Sequence, residues 1–106
     1  MKATILHNPR CSKSREALAI LHGANAEVTV IDYLKQPPTR DELTRLYAVA
    51  GINPRDALRK DAPAVADDAA ALDLMVRDPR TIERPLVETD KGVRLGRPPS
   101  AIRAIL

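Results

Sequence analysis

The chain has no phenylalanine and no tryptophan, and only two tyrosines. Its core must therefore be built from Leu, Ile, Val and Ala. It has one cysteine, Cys11, so no disulfide can form within the chain. No apolar run approaches the ~18 residues of a membrane span. Met1, Lys2 and Ala3 lead straight into a short strand rather than into the long apolar region of a signal peptide. The expected location is therefore the cytoplasm, with no membrane partner. Aromatics are scarce and the basic residues are scattered, a poor match to a nucleic-acid surface. The net charge of +3 is mild and suits a local site for a small anion better than a broad electrostatic footprint. Hydrophobic residues make up 44 % of the 106, enough for one core and one domain over residues 1–106.

Residues 3–7 read as a buried strand. Residues 12–22 read as a helix, with Ala17, Leu18, Ile20 and Leu21 at helical spacing and Gly23 at its end. Glu27 to Tyr33 reads as a second strand through Val28, Val30 and Ile31. Pro37 and Pro38 stop the chain. Thr39 and Glu42 then form a capping-box pattern ahead of Leu43, Leu46 and Val49, and Gly51 closes that helix. Asn53 and Pro54 mark the start of a short helix holding Ala57, Leu58 and Arg59. Residues 66–77 form a weaker helical pattern with Leu72, Met75 and Val76, broken by Pro79. Pro85–Glu88 and Val93–Leu95 flank Asp90, Lys91 and Gly92, a hairpin signal. Pro98, Pro99 and Ser100 open a last helix carrying Ile102, Ile105 and Leu106.

The order is β-α-β, a helical insertion over about 39–78, then β-β-α. Two strands joined by a helix should be parallel and the last pair antiparallel. This is an α/β, thioredoxin-like layout with a mixed four-stranded sheet. No linker, repeat or low-complexity tract interrupts it, and the expected state is a monomer.

Cys11 lies where the first strand hands over to the first helix. A helix N-terminus offers free N–H groups and partial positive charge, which stabilise a thiolate. Arg10, Lys13 and Arg15 act in the same direction. One thiol can attack, but a second must come from outside the chain. A phosphatase loop would place arginine where Ala17 stands, and a dithiol redox motif would place cysteine where Ser14 stands. Ser14 is either a hydroxyl donor to the thiolate or an ordinary first-turn serine. His7 either tunes the thiolate or is a structural histidine, and Asn8 suits bracing of the loop. His22 reads as a surface residue. Arg59, Arg84 and Arg97 stand out by setting, the last two each preceding a proline that restricts their backbone. A guanidinium fork suits a tetrahedral oxyanion. From their positions alone, a solvated surface residue is the more ordinary reading of each of the three.

The stretch from His7 through Asn8, Pro9, Arg10, Cys11, Ser12, Lys13 and Ser14 to Arg15 resembles the signature of the glutaredoxin-linked arsenate reductase (ArsC) family. Pro37–Leu43, Leu58–Lys60, Ile82–Val87 and Arg94–Pro98 resemble its later motifs, in order and nearly end to end. The resemblance implies a thioredoxin-like fold with a helical insertion and a cis Pro85. It implies Cys11 as nucleophile, His7 and Ser14 as its supports, and Arg59, Arg84 and Arg97 as the oxyanion ligands. It implies arsenate or a similar oxyanion as substrate, glutathione as co-substrate and glutaredoxin as partner, with no bound cofactor or metal. Asp61 to Asp73 is shorter than the family pattern, and the C-terminal extension of some members is missing after Leu106. The chain looks closest to the compact YfgD-like branch. Other readings in the same fold are a redox-sensing, Spx-like regulator or another glutathione-dependent thiol oxidoreductase. Ser14 and the retained arginines argue against the regulator.

Overall fold

Alternation with period two lets the first strand serve two cores at once. In the computed structural model, which describes residues 1–106, β1 spans Lys2–His7. Ala3 and Ile5 face one cluster and Leu6 faces the other. Helix α1 (Ser12–Gly23) returns the chain to β2 (Glu27–Asp32), which pairs parallel with β1. The later strands, β3 (Leu86–Thr89) and β4 (Gly92–Leu95), form an antiparallel hairpin, and β3 lies antiparallel to β1. The sheet order is β2-β1-β3-β4, a mixed four-stranded sheet as expected.

Between β2 and β3 come helix α2 (Arg40–Ala50), a 3-10 turn (Pro54–Ala57), helix α3 (Asp68–Arg77) and a second 3-10 turn (Pro79–Thr81). Leu43, Leu46 and Tyr47 of α2 and Leu72 and Met75 of α3 cover one sheet face with Leu86 and Val93. On the other face Ala17 and Leu21 of α1 meet Val87, Ile102 and Ile105. Each buried Leu or Ile contributes about 1.5–3 kcal/mol. Both tyrosines, the whole aromatic content, are buried in the first cluster.

The helix ends follow local chemistry. Thr39 Oγ1 accepts the Glu42 N–H at 3.1 Å, and Gly51 takes the left-handed conformation at φ 70° that ends α2. Asp67 caps α3 by accepting the Ala70 N–H at 2.8 Å.

Several expectations need correction. Val49 is 52 % exposed and Val76 44 %; Tyr47 and Leu74 occupy the buried positions instead. The short helix after Asn53 ends at Ala57, and the Asn53 side chain does not cap it. Leu58 and Arg59 leave the helix because the backbone pairs sideways. Arg59 N–H donates to Thr81 O and Glu83 N–H donates to Ala57 O, each at 2.9 Å, around a Leu58–Ile82 bridge. The last helix is a 3-10 segment, Pro99–Ile105.

Both the Arg84–Pro85 and the Arg97–Pro98 peptide bonds are cis. The Pro85 carbonyl accepts the Gly96 N–H at 2.8 Å. A Cβ on Gly96 would lie 2.7 Å from the Pro85 ring, so only glycine fits that approach.

Candidate active site

Cys11 is the N-cap of α1, with extended backbone, and is 8 % exposed. The turn before it is held by its own polar groups. Cys11 N–H donates to the Asn8 carbonyl, and Arg10 N–H donates to Asn8 Oδ1, both at 3.0 Å. Arg15 closes the turn from outside, donating to the Pro9 carbonyl at 2.9 Å. The bracing expected of Asn8 is therefore present.

Burial pushes the Cys11 thiol up, but the net shift is down. The backbone N–H of Ser14, the hydrogen bond and charge of Arg84, and the backbone N–H of Lys13 together outweigh burial. The N-terminal N–H groups thus act as expected of a helix start. The charge facing the sulfur is that of Arg84, far away in sequence. Lys13 acts through its backbone, and Arg15 is turned toward Pro9.

Ser14 is fully buried and its hydroxyl does not serve the thiolate. Its Oγ lies 2.6 Å from His7 Nδ1 and accepts the Asn8 N–H at 3.1 Å. Ser14 Oγ and His7 Nδ1 share one hydrogen bond, whose donor follows the His7 tautomer, and no hydrogen bond joins Ser14 Oγ to the Cys11 sulfur. The donor role considered for Ser14 toward sulfur is corrected accordingly: its contribution to Cys11 comes from the main chain. Burial lowers His7; the Asp32 charge opposes this and that of Arg15 adds to it. His7 is therefore a neutral ring that anchors the first turn of α1 to the end of β1.

The arginines form a wall beside this loop. Arg84 precedes Pro85 and faces Cys11, and its Nε is buried with no acceptor inside the chain. Asn8, Tyr33, Arg59 and Arg84 line one small hollow, with Arg80 on its rim. Arg59 also lines a neighbouring open groove of about 680 Å³ with Arg97 and Glu83. Arg97 Nη1 donates to the Arg84 carbonyl at 3.1 Å and lies 3.5 Å from Glu83 Oε1. Arg59 lies 3.6 Å from the exposed Asp61. The three arginines are thus contiguous, Arg84 next to the sulfur and Arg97 one step away.

Two neighbours escaped the sequence reading. Tyr33 directly follows β2 and its hydroxyl keeps its proton: burial raises it and Cys11 adds, while Arg84, Asn8 and Arg59 pull the other way. Its rarity was the available signal, in a chain with two tyrosines and no other aromatic. Glu83 was visible only as the residue before Arg84. Nothing in the sequence shows that its side chain returns to the arginines.

A parallel β-α-β unit joined to an antiparallel hairpin, with a lone thiol at the first helix start, defines a single-cysteine protein of the thioredoxin-like class. The particular family follows from the chain as a whole. It belongs to the ArsC family, which it matches over residues 6–105. It is 40 % identical over 115 residues to an arsenate reductase of Rhizobium meliloti (strain 1021), covering 100 % of this chain and 82 % of that protein. It is 40 % identical over 112 residues to an arsenate reductase of Escherichia coli (strain K12), covering 97 % and 79 %. A solved arsenate reductase from Vibrio cholerae superposes with a TM-score of 0.92 at 38 % identity, covering 100 % of this chain and 98 % of that one.

Proposed function

We propose that this protein reduces arsenate to arsenite through a covalent intermediate on Cys11, with glutathione and glutaredoxin supplying the further thiols. The observation that carries the reading is the pairing of a lowered thiol with Arg84, whose buried Nε–H has no acceptor within the chain. A buried unpaired donor is costly, and an anion at the thiol would satisfy it. Membership of a family with arsenate reductases at 40 % identity supports the choice of anion.

In this mechanism arsenate docks against Arg84 and Arg59, with Arg97 on the far side. The Cys11 thiolate attacks arsenic, an S–As bond forms, and one arsenate oxygen leaves as water. A glutathione thiolate then attacks the Cys11 sulfur. An S–S bond forms, the S–As bond breaks, and its electron pair stays on arsenic, so As(V) becomes As(III). Glutaredoxin reduces the Cys11–glutathione disulfide and restores the thiol. The arginines accelerate attack to the extent that they hold the developing charge more tightly than the ground-state anion. All the proposed groups come from one chain, so a monomer suffices. The thiol donors assign the reaction to a reducing compartment, the cytoplasm.

The test is arsenate-dependent NADPH oxidation with glutathione, glutaredoxin and glutathione reductase. Turnover requiring all components is expected. NADPH oxidation unaffected by arsenate would reject the reading.

A further inference from the structure

The groove that shares Arg59 with the hollow at Arg84 is charge-balanced in a specific way. Arg59, Lys60 and Arg97 line it together with Asp56, Asp61 and Glu83. The acids are not equivalent. The Asp61 side chain is 76 % exposed, free to swing away from an arriving anion and screened by solvent. The Glu83 side chain is only 14 % exposed and is held from several sides. Its own N–H is tied to the Ala57 carbonyl at 2.9 Å. Its Oε1 accepts the Arg84 N–H at 3.3 Å and lies 3.5 Å from Arg97 Nη1. Arg97 in turn is fastened to the Arg84 carbonyl at 3.1 Å. Moving Glu83 away would therefore break its bond to the Arg84 main chain and its contact with the Arg97 guanidinium. Both contacts use Oε1, and Oε2 makes no hydrogen bond within the chain.

We propose that Glu83 makes this groove selective for tetrahedral oxyanions that still carry a proton, rejecting those that are fully ionised. The inference rests on the oxyanion site proposed above and names the specificity of that site. An anion reaching Arg97 meets a fixed carboxylate acceptor. A ligand O–H can donate to it, whereas a ligand O⁻ is repelled. Arsenate and phosphate carry a hydroxyl at neutral pH; sulfate and selenate do not. Discrimination then comes from an unmatched charge placed against the wrong ligand. A site built to receive a ligand hydroxyl penalises the analogue that lacks it. Glu83 also acts as a positioning residue, because it holds Arg97 against the wall.

The experiment measures protection of Cys11 from iodoacetamide alkylation by each anion, at neutral pH and fixed ionic strength. Wild-type protein is expected to be protected by arsenate and phosphate, and at least about tenfold more weakly by sulfate and selenate. Selenate tests size, since it matches arsenate in shape while lacking the proton. In Glu83→Gln the amide keeps an acceptor for the Arg84 N–H and gains a donor. The gap should close through better sulfate protection. Asp61→Asn removes an equal charge from the exposed rim and should leave the gap intact. Selenate protecting wild type as well as arsenate does would overturn the proposal without any variant. So would an unchanged gap in Glu83→Gln, or an equal change in Asp61→Asn. If no anion protects Cys11 in any of the proteins, the oxyanion site itself is wrong.

Discussion

The thiol loop and the arginine wall meet at Arg84 but draw on different ranges of the chain. Every contact that shapes the loop comes from His7 to Arg15: Ser14 on His7 and Asn8, Asn8 on Arg10 and Cys11, and Arg15 on Pro9. The wall is assembled from three segments. Arg59 is placed by pairing with Thr81, Arg84 by the approach of Gly96 to Pro85, and Arg97 by Glu83 and the Arg84 carbonyl. A nucleophile can be prepared by a helix start and its neighbours, because N–H groups and a cap are local. A binding wall for a tetrahedral anion needs donors from several directions, which one short segment cannot supply.

The comparison breaks most completely at the sulfur. Cys11→Ser should abolish arsenate-dependent NADPH oxidation while circular dichroism remains native. Turnover near wild type would remove Cys11 from the chemistry. Next comes the link between the two regions. Arg84→Ala should raise the thiol toward the ordinary value of about 8.5, seen as slower alkylation at neutral pH. It should also weaken phosphate protection of Cys11 far more than Arg45→Ala does. Arg45 is the control because it is occupied elsewhere, in a bidentate pair with Glu88 at 2.7 and 2.9 Å. Equal losses in the two variants would reduce the wall to general positive charge.

Smaller effects should separate loop architecture from thiol chemistry. Ser14→Ala leaves His7 Nδ1 and the Asn8 N–H unpaired in a buried place and should cost about 1–3 kcal/mol in urea unfolding. Its effect on the alkylation pH profile should be smaller than that of Arg84→Ala, because the hydroxyl does not face sulfur. A larger shift would return Ser14 to the role of thiolate donor. The smallest effect concerns His7, which burial lowers below the ordinary histidine value of about 6.5. The unfolded chain then binds the extra proton first as pH falls. The His7 contribution to stability is complete above about pH 6.5 and is lost as pH drops toward the native value. The urea midpoint should fall over that range more steeply in wild type than in His7→Gln. Parallel profiles would show that His7 does not titrate on unfolding.

Much of the architecture was legible because it rests on local or periodic signals. Thr39 and Gly51 bounded α2, the apolar run within residues 3–7 marked β1 as a buried strand, and Asp90 and Lys91 marked the hairpin. The misreadings share one cause. Val49 and Val76 fit a helical stripe, but the faces of α2 and α3 are chosen by what lies opposite, and Tyr47 and Leu74 are buried instead. Arg59 fits a helix, but pairing with Thr81 draws it out.

By itself the sequence determined the thiol, its helix start, the element order β-α-β then β-β-α with its parallel and antiparallel pairs, and the family through its motifs. These depend on spacing along the chain, which a sequence records directly. Only the tertiary structure decided that the Ser14 hydroxyl goes to His7, that Arg84 is the charge at Cys11, and that Glu83 returns to hold Arg97. Those facts depend on which way side chains turn between segments distant in sequence, and that direction is set by packing.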